Sequence, residues 1–160
     1  MLVVVAGCGH PAQPTEETIF PEDLQKAGYV QVRRCRYPGE HSALAAFTVW
    51  VNPDGRASFD ALWAEPPTAT EMEAGAIVVK EIYSSTSCAA DQVDYWVAMK
   101  KEPGFDREHG DWRWQEVQHD GTITVDGRSP ACGDCHEGRA DTSCTGYGAL
   151  NGKDYLCTAP

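Results

Sequence analysis

The sequence predicts an α+β domain: an antiparallel β-sheet with short flanking helices, ending in a C-terminal C-x-x-C-H segment. Two observations predict it. Apolar, β-branched or aromatic runs follow one another over Ala43–Val51, Ala76–Tyr83, Val93–Lys100, Trp112–Val117 and Thr122–Val125. Between them there are turn signals rather than the long helices that parallel strands require. Nothing repeats and no linker divides the body, so residues 18–160 of the 160 read as one domain, large enough for a single core.

Residues 1–17 read as an address and a tether. Met1 to Cys8 is a short apolar run ending in Val-Ala-Gly-Cys, which resembles a bacterial lipoprotein signal with Cys8 as the lipidated residue. The run is too short to span a bilayer and lacks a basic n-region, so it is read as a signal remnant. The polar stretch from Gly9 to Glu17, with two prolines, follows as the tether. Pro21 to Ala27 has a proline at an N1-like position, acids in the first turn and Gly28 after it, and predicts a short helix. The strand Ala43–Val51 should close in a turn at Asn52-Pro53-Asp54-Gly55. Ser58 is then placed to cap a helical turn bearing Phe59, Leu62 and Trp63, with Pro66-Pro67 to stop it. Ala76–Tyr83, Val93–Lys100 and Trp112–Val117 follow as strands, and His119-Asp120-Gly121 turns the chain into Thr122–Val125.

The charge of -11, from 24 acids against 13 bases, argues against nucleic acid or an anionic membrane surface as partner, because both select clustered Lys and Arg. A basic redox protein or a neutral small molecule is compatible with it.

The chemistry sits in Cys132-Gly133-Asp134-Cys135-His136. Two thiols three positions apart, followed at once by an imidazole, form the attachment pattern of a c-type haem. The spacing lets the thiols reach two vinyl groups on one porphyrin edge, and the next residue, His136, then supplies the proximal iron ligand. A zinc site needs a second ligand pair at matching spacing, and no second C-x-x-C exists. A thioredoxin-like pair should follow a strand in a βαβ unit, whereas Asp126-Gly127-Arg128-Ser129-Pro130 is loop-like. One covalent haem c is therefore expected.

With Cys8 assigned to lipid and Cys132 and Cys135 to haem, four of the seven cysteines remain: Cys35, Cys88, Cys144 and Cys157. Three pairings are open to them. Cys144 with Cys157, closing a short Gly-rich tail, and Cys35 with Cys88 are the expected pair of bridges. Disulfides and covalent haem both imply the periplasm or cell envelope.

The segment Gly75-Ala76-Ile77-Val78-Val79-Lys80-Glu81, then Tyr95-Trp96-Val97-Ala98-Met99-Lys100, Pro103-Gly104-Phe105 and Gly110-Asp111-Trp112-Arg113-Trp114, together with C-x-x-C-H, resembles the cytochrome P-460 family, whose fold cytochromes c′-beta share. The similarity runs from about Ala43 to His136, and Asp154-Tyr155-Leu156 resembles the family's usual ending. The tail from Thr142 to Cys157, with its extra cysteines and glycines, departs from the family pattern. The resemblance implies an antiparallel sheet with flanking helices, commonly a homodimer, and a haem held by one histidine. It also implies oxidation of hydroxylamine, or binding of nitric oxide and related diatomic gases. In the family's enzymes a lysine is covalently joined to the porphyrin edge, and by position that lysine is Lys80.

Period-two alternation puts Lys80 on one face with Val78 and Ile82. Desolvation there favours the neutral amine, whose lone pair can attack a ring carbon. Comparison through Thr48-Val49-Trp50-Val51-Asn52-Pro53 puts Phe47 where the hydroxylamine-oxidising members carry a distal arginine. A looser comparison puts Met99 near their distal glutamate. Removing electrons from hydroxylamine also needs a base for its protons, so a Phe and a Met suit gas binding better than oxidation. If the motif is helical, Arg139, three residues beyond His136, lies on its side, where the guanidinium could approach the proximal pocket or a haem propionate. Two other functions stay open. One is a periplasmic electron carrier ligated by His136 and Met99. The other is a structural or sensory lipoprotein whose haem only binds.

Overall fold

The computed structural model describes residues 17–37, 45–137 and 153–156. Six strands, β1 (Val30–Arg36), β2 (Phe47–Val51), β3 (Ile77–Tyr83), β4 (Val93–Lys101), β5 (Trp112–Gln118) and β6 (Ile123–Gly127), form one sheet in sequence order. Every neighbouring pair is antiparallel. Helix α1 (Pro53–Trp63) and helix α2 (Pro130–Glu137) flank it, with 3₁₀ turns at Ala90–Gln92 and Arg107–His109. The α+β architecture with an antiparallel sheet and short helices is the one expected.

The register sorts the strand residues onto two faces. On the first face, Val51, Val78, Met99 and Trp114 stand in one row, and Val49, Lys80, Val97, Glu116 and Val125 in the next. Phe47, Ile82 and Tyr95 make the row beyond. This face holds the larger core, closed by Phe59 and Leu62 of α1, by Met72 and by Leu156 of the tail. On the second face, Phe20, Leu24 and Tyr29 pack over Trp50, Val79, Ala98 and Val117. The N-terminal segment is pinned there by the fully buried Gln115, which accepts from the Ile19 amide at 2.9 Å and donates to the Glu17 carbonyl at 3.0 Å. With both faces covered, all five residues of β2 are buried.

Four local expectations are corrected. Pro21 to Ala27 is not a helix but a hydrogen-bonded turn, closed by bonds such as Tyr29 N–H to the Leu24 carbonyl at 2.9 Å. A stretch this short has too few hydrogen bonds to offset the cost of nucleating a helix, and its side chains are held by the sheet instead. Asn52-Pro53-Asp54-Gly55 is not a free turn but the start of α1. Asn52 is the N-cap, accepting from the Gly55 amide at 3.0 Å, with Pro53 at the first helical position. Ser58, expected as the cap, lies inside the helix and donates to the Gly55 carbonyl at 3.0 Å. Among the described residues the strand expected from Ala43 begins at Phe47, and β1 has no counterpart among the expected strands.

Gly55 lets the helix sit close to the sheet. A Cβ there would lie 2.8 Å from both the Ala76 Cβ and the Asn52 Oδ1.

The expected bridge Cys35–Cys88 is present, tying β1 to the loop between β3 and β4 across a separation of 53 residues. Cys8, Cys144 and Cys157 lie outside the described residues, as do the lipid attachment and the second bridge expected of them.

Candidate functional site

The loop after β6 turns into α2 at Ser129-Pro130. Ser129 caps the helix, accepting from the Cys132 amide at 3.4 Å, and Pro130 opens its first turn. On this helix Cys132 and Cys135 stand one turn apart and His136 stands one turn from Cys132, so the three share a side. Both cysteines are free thiols and half-buried. Burial pushes the Cys132 thiol above its ordinary range. The hydrogen bond that Ser129 Oγ donates to its sulfur at 3.0 Å offsets part of this, and the charges of Glu116 and Cys135 add to the rise.

His136 is fixed from two directions. Its ring meets the Trp114 indole edge-on, with centroids 4.8 Å apart. Its Nδ1 lies 2.8 Å from the Tyr155 carbonyl oxygen. A carbonyl only accepts, so Nδ1 carries the proton and Nε2 keeps the lone pair that a metal needs. This is the tautomer and the orienting partner characteristic of a metal-ligating histidine.

The Tyr155 carbonyl is itself held. Asp154 accepts from Lys101 Nζ at 2.8 and 2.9 Å and from the Met72 amide, and both partners of that ion pair are buried. Leu156 is buried in the main core, and the Tyr155 hydroxyl donates to the Glu108 carbonyl at 3.2 Å.

Lys80, Phe47 and Met99 lie on the first sheet face, against whose core Cys132 packs. Lys80 is 9% exposed, shares its face with Val78 and Ile82, and puts Nζ 4.1 Å from the Phe47 ring centroid. Phe47 is 2% exposed, in the row next to Lys80. Lys80 is thus a buried lysine against an aromatic ring rather than a solvated one at a strand end. Met99 is 5% exposed and pairs directly with Trp114, the residue on which His136 rests. Cys132 packs against the same core as Phe47 and Met99. Arg139 lies outside the described residues.

The residues present fit a covalently held haem. Two free thiols and one oriented imidazole share a helix side, and from it Cys132 and His136 meet an apolar, aromatic layer. In that core the buried indole N–H groups of Trp63, Trp112 and Trp114 have no acceptor among the described residues. The rivals fit less well. Among the described residues no three His, Cys, Asp or Glu side chains converge as a set for a bare metal ion. The sheet is antiparallel throughout, so the C-x-x-C pair has no βαβ setting.

A cleft of about 840 Å³ opens on the second face, lined by Glu22, Arg34, Trp50, Glu81 and Trp96 among others, and no predicted site residue borders it. Its Glu81 carboxylate accepts from Thr48, Trp50 and Tyr83 at 2.6 to 2.9 Å, an internal network that braces β2 against β3. Burial, with the Glu81 charge also raising it, pushes the Tyr83 phenol up to about 12, although the Thr48 bond works against the shift.

Sequence reasoning missed Tyr155, Asp154, Lys101 and Trp114 as parts of the site. Only the Asp154-Tyr155-Leu156 match pointed toward the tail; the others act through contacts between distant segments. The chain matches no protein-family model, and no curated protein matches it to a significant degree.

Proposed function

We propose that this chain is an exported, mono-haem c-type protein of the cytochrome P-460 kind that handles small nitrogen oxides, binding nitric oxide or oxidising hydroxylamine weakly. The observation that carries the reading is the orientation of His136 by Tyr155 on the helix of Cys132 and Cys135, over the face that holds Lys80 and Phe47. When bound, the haem supplies an iron that binds diatomic ligands and exchanges electrons. The chain's own parts have separable tasks. Cys132 and Cys135 hold the group, and His136 offers Nε2. Phe47 supplies an apolar surface that favours a neutral gas over water. Lys80, desolvated against that ring, is the amine nearest in kind to the one that links to the haem edge in the family's enzymes. Phe47 and Met99 supply neither the arginine nor the glutamate of the hydroxylamine-oxidising members, and Glu116, the carboxylate in the row of Lys80, already accepts from Gln118 and Thr124, so binding is favoured over turnover.

The Cys35–Cys88 bridge supports export, since disulfides persist outside the cytosol. A lipid anchor through Cys8, a homodimeric state and a basic redox partner complete the proposal. The alternative, an electron carrier with His136 and Met99 as axial ligands, is disfavoured by the pairing of Met99 with Trp114, which puts Met99 beside the histidine's own contact.

The test is the optical spectrum, ferric and ferrous, with and without nitric oxide, after expression with a haem-attachment system. A five-coordinate high-spin haem that binds nitric oxide is expected. A low-spin spectrum with a methionine-to-iron band would move the reading to the electron carrier, and protein without attached haem would overturn both.

A further inference from the structure

His109 is 6% exposed and lies against the middle of the Cys132–His136 segment. A Cβ at Gly133 would stand 3.0 Å from the His109 Cβ and closer still to Cγ and Cδ2, so the ring fills the space that any side chain at 133 requires. Its nitrogens face two carboxylates: Nδ1 is 3.0 Å from Asp106 Oδ2 and Nε2 is 3.6 Å from Asp134 Oδ1, inside the motif. Asp106 is buried, and its backbone carbonyl closes the 3₁₀ turn by accepting from the amides of His109 at 3.0 Å and Asp111 at 2.7 Å. The same loop reaches the approach to α2, where Arg128 Nε donates to the Phe105 carbonyl at 2.8 Å, and the tail, through Tyr155 on Glu108. The loop from Phe105 to Asp111 therefore touches the entry to α2, its second turn and the segment that orients His136.

We propose that His109 is a positioning residue for the Cys132-Gly133-Asp134-Cys135-His136 segment: its ring docks on Gly133 and its two nitrogens link Asp106 to Asp134, which fixes where α2 presents its two thiols and His136. The proposal rests on reading that segment as the haem-attachment site. It accounts for the glycine between the cysteines, because the ring occupies the room a side chain would need. It also assigns a use to a buried imidazole. His109 holds α2 against the loop, and the tail holds His136, so attachment geometry is set by two separate contacts on one bracket.

The experiment is a double-mutant cycle on the full chain, with Gly133→Ala, His109→Ala and the two combined, each expressed with and without a haem-attachment system. In haem-free protein, Cys132 and Cys135 should react with a thiol reagent roughly tenfold faster in each single variant than in wild type, an effect within the range that contacting residues show in such cycles. In haem-loaded protein, Gly133→Ala should lower the fraction carrying haem, and removing His109 as well should restore most of that loss. The reduction potential should shift in His109→Ala and return toward wild type in His109→Gln, which keeps a donor toward Asp134. Far-ultraviolet circular dichroism checks that the sheet persists; if Gly133→Ala alone fails to fold, recovery in the combined variant carries the same information. Equal damage from Gly133→Ala with and without His109, or unchanged thiol reactivity in His109→Ala, would overturn the proposal. Wild type that never acquires haem would instead refute the haem reading, while the thiol cycle still tests the docking.

Discussion

The Tyr155 carbonyl accepts a hydrogen bond of 2.8 Å from Nδ1 of His136, across 19 residues of sequence. That bond exists because Asp154, one residue earlier, is clamped by Lys101 in a buried ion pair and by the Met72 amide. Asp154→Ala leaves the Lys101 ammonium buried without its main partner, and removing one member of a buried pair costs about 3 to 5 kcal/mol. Denaturant unfolding should show a loss of that order. The histidine's orientation should loosen with it, read as a changed reduction potential of the haem-loaded protein; an unaltered potential would mean that the tail does not steer His136.

In the proposed reading, Lys80 separates a hydroxylamine-oxidising enzyme from a gas binder. Its amine sits over the Phe47 ring, and we expect it at the haem edge, cross-linked to it or packed against it. Peptide mass spectrometry of the loaded protein should find haem on the Lys80 peptide as well as on the one bearing Cys132 and Cys135. A Lys80 peptide recovered free would place the protein with the gas binders. Even with the link, hydroxylamine oxidation should be slow, because the link tunes the ring but accepts no substrate proton.

Phe47→Ala empties a buried site between Lys80 and Ile82. Deleting a buried phenylalanine costs about 3 to 5 kcal/mol, and a thermal melt should register it. Nitric oxide association, followed by stopped flow, should accelerate in the same variant if Phe47 restricts the ligand's approach.

His109 titrates above its ordinary value. Burial by itself pulls it down, but the hydrogen bond and charge of Asp106, the facing Asp134 carboxylate and the charge of Glu108 outweigh that. The folded state therefore holds the proton more tightly than the unfolded chain. The contribution is fully present below the unfolded value of about 6.5 and is lost as pH rises through the higher folded value. Melting midpoints of wild type and His109→Gln should converge as pH rises through that window; a constant gap would remove His109 as the cause.

Breaking the Cys35–Cys88 bridge with Cys35→Ser and Cys88→Ser should cost about 4 kcal/mol in the chain-entropy account for a loop of this length. Unfolding in denaturant measures it directly, and a change under about 1 kcal/mol would mean that the unfolded chain keeps the two segments together.

The strands over Ala76–Tyr83, Val93–Lys100 and Trp112–Val117 are legible in the sequence because period-two burial is a local property of an extended chain. The edge strand β1 is not, because Val-Gln-Val-Arg-Arg-Cys-Arg is largely exposed and carries little apolar alternation. Asn52-Pro53-Asp54-Gly55 is ambiguous because an Asn-Pro-Asp-Gly run serves a turn and a helix start equally well. Asn52 settles as a cap by also bonding the Ile77 amide and the Gly75 carbonyl.

Local sequence alone specifies the class of fold, the spacing of Cys132, Cys135 and His136 that puts two thiols and an imidazole on one helix side, and the shared face of Val78, Lys80 and Ile82. Each of these depends on residues a few positions apart, whose relative placement the backbone period sets. Tertiary packing is what buries Lys80 against Phe47, sets Met99 beside Trp114, lets Tyr155 choose the tautomer of His136 and fills the space over Gly133 with His109. These relationships join separate strands, a loop to a helix, and a tail to a helix 19 residues before it. Strand register and the docking of loop and tail set them, and no local periodicity encodes either.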